Sequence, residues 1–408
     1  MKIVICGVSA AGLSCLDNLY KIDRNIDCTL ISEEPFYPYS RCLLTYYLAK
    51  ELLQKEMEIA NPDVYEDNIK WVFGERVIKI DVKNQIIVTN NGNIFNYDKL
   101  LLATGAEAIK TSYMHNNDRI FNLRYLKDAQ YIDKKLKSSA LVVGGGFVGI
   151  KTAYGLMNRG IKTTLIIASS YPLSTTVDEE TGNLVKHELD KMDVEVFTGT
   201  DIVETKVKNG SLISVLSNGR ILTTDIAIVG KGVKPRVDLA KFSGIKVENG
   251  IIVDDYLRTS VENVYAAGDC CETYDIVRKK RAVNAIWPNA VEQGRYVAFN
   301  MMGYEMVYPG SIAMNSIKTN TFHLISAGDL KAKDATVFTN YSKSKNQFIK
   351  IAVKDNKIVG CAFLNCHEYA GVVVELIKSG KEVLLQNVKE IVKGTISPLD
   401  IYRYFGRS

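Results

Sequence analysis

A chain of 408 residues, 47% hydrophobic and 24% charged, has the composition of a globular protein and the length for two or three domains. Its longest apolar runs fall far short of the roughly 18 residues that span a bilayer, and a strand pattern starting at Ile3 leaves no room for a secretory leader, so the expectation is a cytoplasmic protein with no membrane partner. A net charge of +5, with no interleaving of aromatic and basic residues, argues against nucleic acid.

Ile3-Val4-Ile5-Cys6 is a continuous apolar run of the kind a buried parallel strand requires. Gly7-Val8-Ser9-Ala10-Ala11-Gly12 follows, then a helical pattern from Leu13 to Tyr20 and a second apolar run, Cys28 to Ile31, ended by Ser32-Glu33-Glu34. This is a βαβ unit with the residue types of a dinucleotide turn. Gly7 permits the tight turn, a small residue at Ser9 admits a pyrophosphate, and Gly12 lets helix and strand approach. The helix N-terminus points its unpaired N–H groups at the phosphates. Glu33, with Glu34 as second choice, is placed to accept a hydrogen bond from a ribose hydroxyl. Ser9 replaces the middle glycine, so a strand–helix turn without a ligand is the competing reading.

In the stretch Glu34 to Tyr47, Pro38 favours extended backbone and the sequence from Leu43 looks helical. Cys42 then sits beside Arg41 near a helix N-terminus, where a thiol pKa is lowered; a buried cysteine on an amphipathic helix is the alternative. Residues 70–98 alternate apolar and polar, with a turn at Asn90 to Asn93, as antiparallel strands do. Lys99 to Leu102 is a buried strand ending at Ala103-Thr104-Gly105, whose amides face the carboxyl edge of the sheet.

A second glycine turn follows a second apolar strand, Ala140 to Val143. Gly144-Gly145-Gly146-Phe147-Val148-Gly149 satisfies G-x-G-x-x-G, with a helix to about Arg159 and a strand from Thr163 to Ile167. Two such units imply two nucleotide sites and the passage of electrons between two nucleotides. Further strands are expected at 194–198, 212–216 and 226–229, with hairpin turns at Asn209-Gly210 and Asn218-Gly219. Val264 to Ala267 is a strand ending in Gly268-Asp269; the acid reads as an acceptor for ligand hydroxyls or as a helix cap. Arg278 to Arg281 reads as a solvated basic loop or a surface that steers an acidic partner. A helix is expected from Asn289 to about Met302. Residues 311–408 change to short alternating strands followed by helices near 370–378 and 383–393.

None of the eight cysteines forms C-x-x-C, so no metal is expected. Cys6 and Cys28 read as core residues, and Cys361 and Cys366 beside His367 as structural, with a metal site as the alternative.

Together these residues resemble the two-dinucleotide flavoprotein reductases, the pyridine nucleotide–disulfide oxidoreductase class. The match includes both turns, Ala103-Thr104-Gly105, Leu123-Arg124, Gly230 before Lys234-Pro235, Leu257 to Ser260 and Ala266-Ala267-Gly268-Asp269. The resemblance implies an α/β fold of two Rossmann-like dinucleotide-binding domains, glutathione reductase-like, plus a C-terminal α+β domain. The FAD-binding domain would be 1–110 and 250–310, the NAD(P)-binding domain 111–249, and the interface or partner domain 311–408. It implies FAD at the first turn, NADH or NADPH at the second, and Asp269 on the flavin's ribityl chain. The cofactor-binding residues it implies are Gly7, Ser9, Ala10, Ala11, Gly12, Glu33, Glu34, Arg41, Ala103, Thr104, Gly105, Gly144, Gly146, Phe147, Val148, Gly149, Lys151, Gly232, Gly268 and Asp269.

Within the class, Tyr39-Ser40-Arg41-Cys42 and the segment Lys357 to Gly380 look like two groups. One comprises NADH:rubredoxin oxidoreductases and the flavin portion of nitrite reductases. The other comprises NADH oxidases and coenzyme A-disulfide reductases, whose single redox cysteine matches Cys42. The C-x4-C disulfide of glutathione reductases is absent, and Ala10 stands where the peroxidases carry histidine. Ile167 replaces the acid that ends the second strand of the NAD unit, and Lys151 replaces the glutamate after the second turn.

The activity implied is an FAD-dependent NAD(P)H oxidoreductase passing electrons to a small iron–sulfur protein such as a rubredoxin, as a monomer or homodimer. The alternatives are thiol chemistry at Cys42 on a disulfide, persulfide or dioxygen, and a flavin-bearing redox sensor or adaptor.

Overall fold

The computed structural model describes residues 1–114 and 117–405; the last residues of the expected C-terminal domain, 406–408, lie outside this range. The chain divides into two compact units, each built from separate stretches of sequence. One comprises Met1–Arg41, Leu53–Glu107 and Val233–Ile312, the other Cys42–Leu52, Ala108–Gly232 and Ala313–Ser408. Residues 42–52 therefore pack with the second unit, although they lie inside the 1–110 segment of the sequence reading.

The first unit is built on a five-stranded parallel sheet. Its order is Val264–Ala266, Lys99–Leu102, Lys2–Cys6, Asp27–Ser32, Ile69–Phe73. Strand order reverses at Lys2–Cys6, which is the topological switch point where open α/β sheets bind ligands. The strand interiors are apolar because their faces are covered: Ile3, Val4, Ile5, Leu100, Leu101 and Leu102 are all buried, and Val77, Ile80 and Ile87 from neighbouring antiparallel strands join the same core. The helices Ala10–Ile22 and Trp287–Met301 pack together, and Gly294 makes the approach possible. A Cβ on Gly294 would stand 2.2 Å from the Ala11 carbonyl oxygen. The first helix begins at Ala10, three residues earlier than its apolar pattern shows, because the small residues Ala10, Ala11 and Gly12 already belong to its first turn.

The second unit repeats the plan. Its parallel sheet has the order Glu195–Thr198, Lys162–Ile167, Ser139–Val143, Ile226–Val229, Ile120–Asn122, with the reversal at Ser139–Val143. The strand Ser211–Leu216 alternates half-buried and buried residues, as one face of an antiparallel sheet meets solvent. The residues after 312 form a five-stranded antiparallel sheet, in the order Met314–Lys318, His323–Gly328, Lys357–Leu364, Gln347–Lys354, Thr336–Ser342. Helices Ala370–Ser379, Leu385–Lys393 and Pro398–Phe405 follow. The last of these was not read from the sequence, where Pro398 at its first position is the available helix-start signal.

A buried lysine with a part-buried and an exposed carboxylate fastens this antiparallel sheet to the helix Glu179–Leu189. Lys350, on Gln347–Lys354, bonds Asp178 and Glu180, and Asn346 donates to the buried Glu188 at 3.0 Å. Burial works against the Lys350 ammonium, but the two carboxylates outweigh it and raise its pKa.

Candidate functional site

The first glycine turn leaves the strand Lys2–Cys6 and enters the helix Ala10–Ile22. Gly7 has φ +116°, and a Cβ there would lie 2.1 Å from the Ala103 carbonyl oxygen. A Cβ on Gly12 would lie 1.9 Å from the carbonyl oxygen of Gly7. Both contacts are with backbone, which has no side-chain freedom to move aside, so glycine is required by packing at both positions. Ser9 is the extended N-cap residue and its side chain makes no capping bond, so the first-turn amides are not spent on a cap. That is the arrangement a phosphate needs.

The sheet brings three other segments to the same edge. Ala103-Thr104-Gly105 leaves Lys99–Leu102, with Ala103 N donating to Cys6 O at 2.9 Å. Gly268-Asp269 leaves Val264–Ala266. Gly268 has φ +83°, and its Cβ position is 3.3 Å from Ala11 Cβ, so it lies against the first turn of the helix. Its N–H donates to Gln293 Oε1 at 2.7 Å. Asp269, half-buried, stands next in line. A strand, Cys271–Asp275, follows it rather than a helix, so the helix-cap reading does not hold.

Glu33 and Glu34 directly follow the strand Asp27–Ser32. Arg236 grips Glu33 with its two terminal guanidinium nitrogens, the Nη2 contact measuring 2.9 Å. Burial opposes ionisation of Glu33, but Arg236 prevails and holds the carboxyl below its usual range. Arg41 donates to Glu34 at 2.7 Å and the Tyr39 hydroxyl at 2.6 Å. Arg236 also ties this edge to Thr104-Gly105: its N–H donates to Gly105 O and its carbonyl accepts from Thr104 Oγ1, each at 2.9 Å. Sequence reasoning missed Arg236 and Gln293. The only available signal for Arg236 was its place after Pro235.

The second turn has the same geometry. Gly144 has φ +125° with its Cβ position 2.4 Å from Gly230 O, and the Gly149 Cβ position is 1.9 Å from Gly144 O. A Cβ on Gly146 would meet nothing within 4 Å, so packing does not demand a glycine there and the space beside it is open. Gly146 caps the helix Phe147–Asn158 with no side-chain bond. Phe147 is half-buried and Val148 exposed at the start of that helix. Gly232, with φ +93°, accepts a bond from Ile109 N at 3.1 Å. Beside it, Lys231 bonds Asp201, which raises the lysine pKa although burial works against it. Lys151 Nζ donates to the Tyr46 hydroxyl at 2.8 Å and to Lys318 O at 2.9 Å, and lies 4.2 Å from the Tyr46 ring centroid. Its ammonium is thus held by the helix Leu44–Leu48 and by the antiparallel sheet.

Cys42 is exposed in the short turn Arg41–Leu43, while the other seven cysteines are buried, so the buried-helix alternative for Cys42 does not hold. Burial raises the pKa of Cys6, Cys361 and Cys366 to about 12 and takes them out of thiolate chemistry at neutral pH. Among the described residues no group of three or more His, Cys, Asp or Glu could hold a metal ion. Arg278 to Arg281 caps a hairpin whose buried Asp275 accepts from Val277 N and Arg278 N, and Arg281 donates to Val253 O. No helix among the described residues is long and apolar enough to cross a membrane.

Two parallel sheets, each with a glycine turn at its switch point and an uncapped helix behind it, define a two-dinucleotide oxidoreductase. The chain belongs to the pyridine nucleotide-disulphide oxidoreductase family, whose sequence model matches residues 1–294. It is 30% identical over 368 residues to the NADH-rubredoxin oxidoreductase of Clostridium acetobutylicum, covering 89% of this chain and 90% of that protein. It is 29% identical over 391 residues to an NADH oxidase of Methanocaldococcus jannaschii, covering 88% and 87%. Among solved structures, an NAD-dependent persulfide reductase from A. fulgidus superposes with TM-score 0.86 at 26% identity, over 94% of this chain and 77% of that one. Putidaredoxin reductase, in covalent complex with putidaredoxin, shares the fold with TM-score 0.90 at 20% identity, over 100% and 99% of the two chains. The chain is accordingly an oxidoreductase of the class that works with FAD and a nicotinamide nucleotide.

Proposed function

We propose that the protein takes electrons from a nicotinamide nucleotide and hands them, through FAD, to a small redox protein of the rubredoxin kind. The observation that carries this reading is the duplicated turn: two cradles of matching geometry, on a chain that aligns with an NADH-rubredoxin oxidoreductase over 89% of its length. The first turn, with Glu33 toward a ribose and Asp269 toward the flavin's polyol chain, is assigned to FAD. The second, Gly144 to Gly149, is assigned to the nicotinamide nucleotide. FAD, when bound, supplies the step from hydride acceptance to single-electron release. The residues of the chain bind and orient: helix N-termini meet pyrophosphates, Arg236 fixes Glu33, and Gln293 fixes Gly268 ahead of Asp269. Residues 311–408 are assigned as the interface or partner domain, the carrier as an iron–sulfur protein, the compartment as the cytoplasm, and the assembly as monomer or homodimer.

The test is NAD(P)H-dependent reduction of purified rubredoxin, followed at its visible absorbance. Failure of NADH and NADPH to bleach the flavin, or a purified protein that takes up no flavin, would sink the reading. A second reading rests on Cys42, the exposed thiol, and on the 26% identity to a persulfide reductase. Cys42→Ser separates the two: carrier reduction survives it under the first reading, and turnover of a disulfide or persulfide is lost under the second.

A further inference from the structure

The loop after the strand Lys162–Ile167 closes the ribose end of the second turn without any charge of its own. A dinucleotide half specific for NADH places an acid here to accept from the ribose hydroxyls, and one specific for NADPH accommodates the 2′-phosphate with a cation. This chain has Ile167, 1% exposed. Its Cγ2 lies 2.6 Å from the position a Cβ on Gly145 would take, so the side chain fills the space beside the turn. From Ala168 to Val177 the sequence contains no acid and no base. The loop is held in place, with Leu173 N donating to Gly145 O at 2.8 Å.

Two lysines come to this loop and the residues just after it from the antiparallel-sheet segment of the same unit. Lys350 is buried and committed to Asp178 and Glu180. Lys331 is exposed, and its Nζ donates to the Ser174 carbonyl at 2.7 Å, one residue from Leu173. A lysine held by a neutral carbonyl gives up little in turning to a phosphate, whereas Lys350 would have to leave two carboxylates.

Resting on the assignment of the second turn to a nicotinamide nucleotide, we propose that this site takes the 2′-phosphorylated cofactor, NADPH, at least as readily as NADH, with Lys331 supplying the cation toward the 2′-phosphate. A carboxylate at position 167 would repel that phosphate, and an isoleucine does not. The cation comes from outside the βαβ unit, on a turn more than 160 residues downstream of Ile167.

Calorimetric titration of the flavin-loaded protein with NAD+ and NADP+ tests this, since neither oxidised form can reduce the flavin. The expected result is that NADP+ binds as tightly as NAD+ or more tightly. Lys331→Gln should weaken NADP+ by about two- to fivefold, the range of one exposed ion pair, and leave NAD+ unchanged. Ile167→Asp should shift the preference toward NAD+ by about tenfold or more. A wild-type protein that binds NAD+ more tightly than NADP+, or a Lys331→Gln response that is absent or equal for the two ligands, overturns the proposal and leaves the nucleotide assignment standing. Binding of neither ligand overturns both. An acid at the buried position 167 costs stability, so the exposed Lys331 variant carries the test where the other fails to fold.

Discussion

Gly12 shows how little room a dinucleotide turn leaves. Its hydrogen stands where any larger residue would meet the Gly7 carbonyl oxygen at 1.9 Å, and Gly149 repeats the distance against Gly144. Gly12→Val must push helix from strand, at a cost of about 1–3 kcal/mol. It should lower the melting temperature and release flavin, read as lost absorbance in the visible after desalting. Glu33 sets a pH dependence of known sign. Its folded pKa lies below the ordinary carboxylate value, so the pair with Arg236 stabilises the fold above the unfolded value of about 4.3 and is lost as pH falls through the folded pKa. Denaturant titrations should show wild type exceeding Glu33→Gln by about 1 kcal/mol at pH 7, the gap closing below about pH 4.

At the scale of elements, the short helix Leu44–Leu48 lies on the helix Phe147–Asn158 because Gly155 admits it. A Cβ there would sit 3.1 Å from both Ala49 Cβ and Thr45 O, and Arg159 donates to Leu48 O at 3.1 Å. Cys42 lies just ahead of that short helix. The Lys350 cluster plays the corresponding part for the antiparallel sheet. Lys350→Met removes the cation and leaves Asp178 and Glu180 facing an apolar side chain. Unfolding in urea should show a loss of about 1–2 kcal/mol, between the values of exposed and buried pairs, part of which Asp178→Asn restores in the double variant, because Asp178 is the less exposed of the two carboxylates.

For the whole molecule, the cysteines report folding. Seven of the eight thiols are buried and Cys42 is exposed. A thiol reagent should therefore modify one equivalent rapidly in the native protein and the remainder only as it unfolds. The Cys42→Ser protein should show no rapid equivalent. Five of the buried thiols lie in the first unit and Cys361 and Cys366 in the antiparallel-sheet segment, so a second fast thiol in the native protein would mean that one of those two cores opens more readily than its packing allows.

Local chemistry was enough to read the two βαβ units, since an apolar run followed by glycines in a fixed pattern has few foldings open to it. Gly7, Gly12, Gly144 and Gly149 declared the turns, and the apolar strands declared parallel sheets covered on both sides. The change of pattern after residue 311 marked the antiparallel sheet. Long-range contacts were closed to such a reading. Arg236 meets Glu33 across 203 residues, Lys331 reaches Ser174 across 157, and Lys151 takes its place from Tyr46 and Lys318. Pairing at that separation depends on which strand ends a sheet brings to one edge and which loops a later segment covers. Tertiary packing alone fixes that, because the charge of a side chain says nothing about the distant partner it will meet.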